Sequence, residues 1–228
     1  NENILNDTYS VFVERYDNQN GGFSTQPKFP SPQNLIFLLR YHKMTGNKTA
    51  LEMAEKTLIN MRMGGIYDQL GFGFHRYSTD KEWLVPHFEK MLYDQAMLSI
   101  AYTEAFHLTK KDVYKKIAIE ILTYIKRDLT DSRGGFYSAE DADSEGEEGT
   151  FYIWSLEELS FLEKSEKDLS IEYFNLEDEG NYLDESTRKK NGKNIFHIKS
   201  LNNINDNRYE KIRTKLFNQR KKRIRPLK

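Results

Sequence analysis

Residues 64–94 read GGIYDQLGFGFHRYSTDKEWLVPHFEKMLYD, a glycine-rich loop with an unusual density of chemically active side chains. A loop that only connects two helices needs no such supply of histidines, carboxylates and aromatic rings. The glycines at 64, 65, 71 and 73 predict backbone with positive φ, which other residues adopt only at a cost. Pro86 suits the first turn of a helix, where its missing N–H costs nothing, so we expect a helix over about 87–107. We therefore interpret the stretch as a functional site whose residues lie at the N-terminus of this helix.

The flanking sequence repeats one helical pattern. Gly-Gly pairs begin at 21, 64 and 134, and each of the first two opens a long loop, a helix with apolar residues on most sides, a short turn and an amphipathic helix. The predicted helices cover about 2–17, 33–44, 48–63, 87–107 and 111–130. This alternation predicts buried inner helices surrounded by half-exposed outer ones, as in an α/α toroid. The long loops then meet at the N-termini of the inner helices, which favour anionic or hydroxyl-rich ligands.

The remaining sequence predicts smaller elements. Two aromatic strands, about 135–139 and 150–154, are expected to pair across an acidic turn. A polar region follows, with a hairpin between 181–183 and 195–198, and a last helix covers about 205–222. The predicted fold class is mainly α, a partial α/α toroid with a small β-hairpin in its long loops.

Length and composition exclude several classes of function. The chain has 228 residues, enough for one domain with a buried core, and it is rich in aromatic residues. A net charge of −1 gives no global attraction to nucleic acid or anionic lipid, so neither partner is expected. Cysteine is absent, which excludes disulfides and thiolate zinc sites. No apolar run approaches membrane-spanning length, and we expect a cytoplasmic location.

Three long motifs carry a resemblance to a known family. They are GGFSTQPKFPSP from residue 21, GGIYDQLGFGFHRYSTDKEWLVPHFEKMLYDQA from residue 64 and GGFYSAEDADSEGEEGTFYIW from residue 134. Over roughly residues 8–160 the sequence resembles the spermatogenesis-associated, thioredoxin-domain-containing proteins. The resemblance implies an intracellular protein with a thioredoxin-like domain followed by a six-hairpin α/α toroid, similar to those of N-acylglucosamine 2-epimerases and six-hairpin glycosidases.

The resemblance also implies a domain organisation. Residues 1–228 are expected to form one domain, about half of the toroid. The thioredoxin-like domain is then expected before residue 1, and the second half of the ring after the RIRP segment at 223–226. The catalytic histidines of the related epimerases lie largely in the later hairpins, so they are not carried over to this chain.

The residues at the predicted mouth are the candidate site. We assign acid–base roles to His75, His87, Glu89 and Asp94, because imidazole and carboxylate exchange protons near neutral pH and bind sugar hydroxyls. His87, Met91 and Asp94 are expected on one helix face. We assign ligand contacts to Lys28, Asp68, Arg76, Trp83, Tyr93, Glu140 and Asp141. The alternatives are a buried polar network, aromatic rings that belong to the core, and a solvated acidic turn.

Metal and cofactor motifs are incomplete. Asp141, Asp143 and Glu145 resemble the start of a calcium loop, but Tyr152 stands where the bidentate glutamate belongs. His75 and His87 lack the HExxH spacing of a zinc site. We therefore predict no metal, and without a phosphate-binding or dinucleotide motif no cofactor. The basic run 220–225 is interpreted as a solvated helix end rather than a nucleic-acid site.

Two functional hypotheses follow. The first is a carbohydrate-active toroid, an epimerase or a glycosidase, with a sugar or sugar acid as ligand. The second is a non-enzymatic interaction scaffold that serves the thioredoxin-like domain. Whichever holds, a half ring leaves the flanks of its end hairpins uncovered, so we expect self-association through these edges.

Overall fold

Five helices succeed one another in the first half of the chain, in a computed structural model that describes residues 2–183 and 189–228. They are α1 (Glu2–Arg15), α2 (Pro32–Thr45), α3 (Lys48–Met63), α4 (Leu92–Thr109) and α5 (Asp112–Tyr124). Helix α2 packs on both α3 and α4, and α4 packs on α5. Thus α2 and α4 form an inner layer and α3 and α5 an outer one, which confirms the predicted alternation.

The two short turns use the same backbone device. After α2, Gly46 adopts a left-handed conformation and donates its N–H to the carbonyl of His42. After α4, Lys110 does the same at φ 58°, with its N–H donated to Phe106. This left-handed cap ends each inner helix and lets the chain reverse into the outer one. Asn47 then caps α3, its side chain accepting from the N–H of Ala50.

Burial agrees with the predicted faces of the outer helices but not with that of α4. Leu58 of α3 and Ile121 of α5 are fully buried within their apolar stripes. Helix α4 was expected to be buried, with apolar residues distributed around its axis, and this is wrong for one face: Tyr93 is 52% exposed and Ile100 43% exposed. The reason is that α2 and α5 cover only part of its surface, leaving one face open in the described part of the chain.

The glycines of the 64–94 loop serve close packing more than positive φ. Of the four, only Gly73 has a positive φ, at 79°, so the expectation for the other three is wrong. A side chain on Gly64 would meet the backbone carbonyl of Trp83, and one on Gly65 that of Leu84. These glycines are therefore required because two backbone segments pass in contact.

Short antiparallel strands organise the loops. They are β1 (Tyr77–Ser78), β2 (Pro86–His87), β3 (Lys90–Met91), β4 (Ala139–Glu140), β5 (Asp143–Ser144) and β6 (Glu147–Glu148), paired as β1–β2, β3–β4 and β5–β6. The β5–β6 hairpin turns through Glu145 and Gly146, both with positive φ, as a type I′ turn requires. Residues 135–139 and 150–154 do not pair with each other, because β4 pairs with β3 and Trp154 bridges to Asn194.

The second half adds a smaller apolar cluster. Helix α6 (Lys164–Phe174), which the polar sequence did not predict, and α7 (Asn207–Arg220) pack together around Phe174 and Leu216. The hairpin expected between 181–183 and 195–198 is reduced to a bridge between Leu183 and Lys190, and residues 184–188 lie outside the described part. No helix among the described residues is long and apolar enough to cross a membrane.

Candidate active site

The candidate site begins on a small sheet formed by three chain segments. Lys28 bridges Ser78 of β1 through two backbone hydrogen bonds, of 2.7 and 2.9 Å, and β1 pairs with β2 so that Tyr77 lies opposite His87. Because side chains alternate along a strand, Lys28 and Ser78 point inward and are fully buried. Tyr77 and His87 share the outward face, where their rings stack with centroids 4.9 Å apart.

Ion pairs join this face to the neighbouring segments. Arg76 donates to Glu89 with Nη1–Oε2 at 2.8 Å, and His87 Nε2 lies 3.8 Å from the same oxygen. His87 Nδ1 lies 2.7 Å from Glu148 Oε1, which also accepts the N–H of Phe88 at 3.0 Å. The contact with Glu148 fixes the orientation of the imidazole ring, as a carboxylate partner does for many functional histidines. We call Arg76, His87, Glu89, Asp94 and Glu148 the Arg76 cluster.

Asp94 is the chemically unusual member of the Arg76 cluster. It lies in the first turn of α4, is 7% exposed, and its Oδ2 is buried without a hydrogen-bond partner. Burial raises the pKa of the carboxyl to about 7, an effect that Arg76 opposes and Glu89 reinforces. Asp94 therefore exchanges a proton near neutral pH, as a general acid or base must.

Arg76 carries a hydrogen-bond donor without a partner, which complements the acceptor on Asp94. Its Nε is buried without a hydrogen-bond partner, although its side chain is 40% exposed and Nη1 binds Glu89. Buried polar atoms are rarely left unpaired in folded proteins. A ligand hydroxyl both donates and accepts, so it suits a site with one unmet donor, on Arg76, and one unmet acceptor, on Asp94.

The shared helix face predicted for His87 and Asp94 is wrong. His87 belongs to β2, and α4 begins only at Leu92, because residues 86–87 and 90–91 are extended and paired with other strands. Pro86 is therefore a strand residue, buried opposite Ser78. His87 and Asp94 join one cluster through the Arg76–Glu89 pair instead.

Several other predicted contact residues lie away from this surface. Trp83 is fully buried, and its indole N–H donates to the carbonyl of Asn20 at 2.9 Å, so its ring is core. Lys28 is fully buried and pairs with Asp17 at 2.5 Å. Tyr93, by contrast, is exposed beside Asp94 at the start of α4 and remains a candidate contact.

Asp68, within the 64–94 loop, belongs to a buried network of ion pairs. Its carboxylate accepts two bonds from Arg220, at 2.8 and 2.7 Å, and one from Lys90 at 2.8 Å. All three side chains are at most 4% exposed. Burial alone would raise the pKa of Asp68, but Arg220 and Lys90 hold it well below its usual value. This is the buried polar network that the sequence left open as the alternative.

Glu140 is the centre of a second buried pairing. It is fully buried, accepts two bonds from Arg225 at 2.9 and 2.6 Å, and accepts the Tyr152 hydroxyl at 2.6 Å. Arg225 also donates to Asp128 at 2.7 Å, in a π-helical turn that extends α5. Asp141 is exposed and separate from these residues. The solvated basic helix end predicted for 220–225 is wrong at Arg220 and Arg225, since buried carboxylates bind both.

His75 is buried away from the Arg76 cluster. It is 1% exposed, packs edge-on against Phe88 and Tyr152, and its Nδ1 lies 2.8 Å from the carbonyl of Phe88. Burial and the charge of Lys90 lower the pKa of His75 well below its usual value, so the ring is neutral at pH 7. Its contacts are those of a packing residue.

A cavity borders the Arg76 cluster at Glu148. It has a volume of about 790 Å³ and a rim of mixed charge, with Glu145 and Glu147 on one hairpin and Lys193 and Lys222 elsewhere. Within the described residues, no three His, Asp or Glu side chains converge as a metal ion requires. The cavity is therefore a second polar surface beside the cluster.

Sequence reasoning did not assign Glu148, Lys90 or Arg220 to the site or to the contacts that support it. Glu148 lies 61 positions from His87, within an acidic run in which Glu145 and Glu147 are exposed, as is Glu148 itself. Burial does not distinguish Glu148 from Glu147, so the sequence offers no local signal that separates it from the run. For Arg220, 152 positions from Asp68, there is no local signal.

Changing Asp94 to asparagine is expected to stabilise the chain at pH 8. The folded pKa, about 7, exceeds the usual unfolded value of about 3.9, so ionisation of Asp94 costs stability as pH rises from about 4 towards 7 and above. The variant removes this cost, and its gain should shrink towards pH 5. Urea unfolding midpoints at pH 8 and pH 5 measure it, with exposed Asp112→Asn as the control. An unchanged midpoint at pH 8 contradicts the prediction.

Comparison with known proteins gives sequence relatives of no stated activity. The chain is 48% identical to human spermatogenesis-associated protein 20 over 169 residues, covering 70% of this chain and 22% of that protein. An uncharacterised protein of Caenorhabditis elegans is 38% identical over 200 residues, with 79% and 27% covered. The chain thus spans about a quarter of the length of these relatives. No family model matches the sequence.

Solved structures give the fold. The cellobiose 2-epimerase of Bacillus thermoamylovorans matches with a TM-score of 0.53 at 13% identity, over 62% of this chain and 42% of the epimerase. A family 76 α-mannanase of Bacteroides thetaiotaomicron matches with a TM-score of 0.52 at 18% identity, over 65% and 44%. The helical layers therefore correspond to part of an α/α toroid, which confirms the predicted fold class.

Proposed function

Since the chain is a homologue of spermatogenesis-associated protein 20 and folds as part of an α/α toroid, we propose that its Arg76 cluster binds a carbohydrate and exchanges a proton with it. The observation that carries the proposal is Asp94, whose Oδ2 is buried and unpartnered and whose carboxyl interacts electrostatically with Arg76, a side chain that also has an unpartnered Nε. Sugar hydroxyls satisfy such a donor and acceptor together. Exposed Tyr93 adds apolar surface for the C–H face of a sugar ring.

The chemistry we propose is proton transfer. Asp94 holds its proton at neutral pH more often than an ordinary carboxyl does, so it acts as the acid. We assign the base to Nε2 of His87, whose ring is held by the contact of Nδ1 with Glu148, and Glu89 is kept in place by Arg76. An acid and a base on one surface suit both epimerisation and glycoside hydrolysis, the reactions named for the structural relatives. The ligand class is a neutral sugar or a sugar acid.

A thermal-shift screen tests carbohydrate binding. The 228-residue chain is heated with monosaccharides, oligosaccharides and sugar acids at pH 7, and a ligand at 100 times its Kd adds about 2.7 kcal/mol of stability. We expect a sugar that stabilises the wild type and the Asp112→Asn control but not Asp94→Asn. A sugar that stabilises all three equally contradicts the assignment to Asp94. Silence across the panel contradicts carbohydrate binding by this chain.

A protein-docking scaffold is the second candidate. It is favoured by exposed apolar side chains on α4 and α5, namely Ile100, Ile119 and Leu122, each at least 43% exposed. Self-association through this face is one form of that function. Sedimentation of the wild type and of Ile119→Glu at rising concentration tests it, and a wild type that stays monomeric contradicts self-association.

A further inference from the structure

We infer that the exposed side of Phe29, whose ring packs on Tyr77, forms a second sugar subsite beside the Arg76 cluster, so that the ligand is a disaccharide or longer rather than a monosaccharide. The inference rests on the proposed function and specifies its substrate class. Phe29 lies in the first long loop, far in sequence from the cluster, and no part of the acid–base argument uses it.

The aromatic rings form a continuous column. Phe29 and Tyr77 have ring centroids 4.9 Å apart at an interplanar angle of 38°. Tyr77 and His87 follow at 4.9 Å and 20°. The column thus starts at His87, within the Arg76 cluster, and ends at Phe29, two ring intervals away.

The backbone holds Phe29 in this position. Its neighbour Lys28 is locked to Ser78 by the two backbone hydrogen bonds of the bridge and by the buried pair of its side chain with Asp17. Since neighbouring side chains on an extended segment point to opposite sides, burial of Lys28 directs Phe29 outward. An outward phenylalanine that is 44% exposed is therefore fixed by the fold rather than left over from a mobile loop.

The exposed ring suits a sugar better than other ligands of the cluster. Aromatic rings offer an apolar face to the C–H groups of a pyranose, while its hydroxyls remain free for polar partners. Phe29 joins His87 through Tyr77 in this series of rings, so we expect a monosaccharide bound at Asp94 and Arg76 to leave its exposed side uncovered. A second sugar ring, linked to the first, reaches it.

Calorimetric titration at pH 7 tests the subsite. The probes are mannose, mannobiose and mannotetraose, and glucose, cellobiose and cellotetraose. We expect the disaccharide of the preferred series to bind about three- to tenfold more tightly than its monosaccharide, the range of one aromatic stacking contact. In Phe29→Ala this ratio should fall to near one. Phe161→Ala is the matched control, because Phe161 is 42% exposed and lies in the second half of the chain.

The other possible results of the titration overturn the subsite, the role of Phe29 or the carbohydrate proposal. A wild type that binds the monosaccharide as tightly as the disaccharide overturns the subsite and leaves the carbohydrate proposal standing. The role of Phe29 is overturned if Phe29→Ala keeps the wild-type ratio of disaccharide to monosaccharide affinity. It is also overturned if Phe161→Ala loses that ratio. A wild type that binds none of the six sugars overturns the subsite, and silence of the thermal-shift panel, which includes sugar acids, overturns the carbohydrate proposal as well.

Discussion

Changing Asp68 to asparagine lowers the free energy of unfolding by about 3–5 kcal/mol, the range found when one partner of a buried ion pair is removed. The substitution keeps the shape of the side chain but leaves Lys90 and Arg220, both at most 4% exposed, without their common anion. Asp68 also accepts the N–H groups of Leu70 and Gly71, at 3.1 and 2.9 Å, so the turn that starts the loop weakens with it. Urea unfolding at pH 7 measures the loss.

The pH dependence gives an independent check on Asp68. Its folded pKa is held below the usual unfolded value of about 3.9, so its stabilisation is present above about pH 4 and is lost as pH falls through the folded pKa. The variant should lose this acid sensitivity. Glu104→Gln is the control, because its partner Arg40 is 63% exposed and surface pairs contribute little. A variant of Asp68 as stable as this control contradicts the buried network.

Changing Gly65 to alanine lowers the free energy of unfolding by about 3 kcal/mol, at the upper end of the range for overpacking. The added methyl group would lie inside van der Waals contact with the backbone carbonyl oxygen of Leu84 and with the side chain of Ile195. A carbonyl oxygen of a packed segment has little freedom to move, so the loop itself must shift. The midpoint of thermal or urea unfolding measures the effect.

Gly135→Ala is the matched control for this prediction. No atom lies within 4 Å of the position where its methyl group would be, and its φ is not positive. We expect this variant to be neutral or to gain about 0.4–1 kcal/mol, because alanine restricts the unfolded chain. Equal stabilities of the two variants contradict the close backbone approach at Gly65.

The helices were predictable because their signals are local. Leu58 and Ile121 lie in four-residue apolar patterns that hold whatever the rest of the chain does, and both are buried as predicted. The exposed face of α4 was not predictable, since the apolar character of Ile100 is the same whether or not another helix covers it. Periodicity reports which residues are apolar, and packing decides which are buried.

Local rules failed where distant segments meet. Pro86 satisfies the rule for a helix start, yet pairing of β2 with β1 makes it a strand residue. Gly65 satisfies the rule for positive φ, yet it is needed because Leu84 passes against it. Glu140 finds Arg225 at a separation of 85 positions, for which one sequence contains no signal. In each case tertiary contact overrode a local preference.

The membership of the candidate site was predictable only in part. The density of polar residues in 64–94 correctly marked Arg76, His87, Glu89 and Asp94 as neighbours. It could not separate them from Asp68 and His75, because the strand alternation that turns some residues outward and others inward depends on pairing partners outside the stretch. Their assigned roles in binding and catalysis remain predictions.

A crystal structure of the chain with its best-binding sugar tests the central claim most directly. We expect a sugar hydroxyl within hydrogen-bond distance of both Asp94 Oδ2 and Arg76 Nε, the two unpartnered atoms of the cluster. A sugar bound instead in the neighbouring 790 Å³ cavity, with Asp94 and Arg76 untouched, would contradict it.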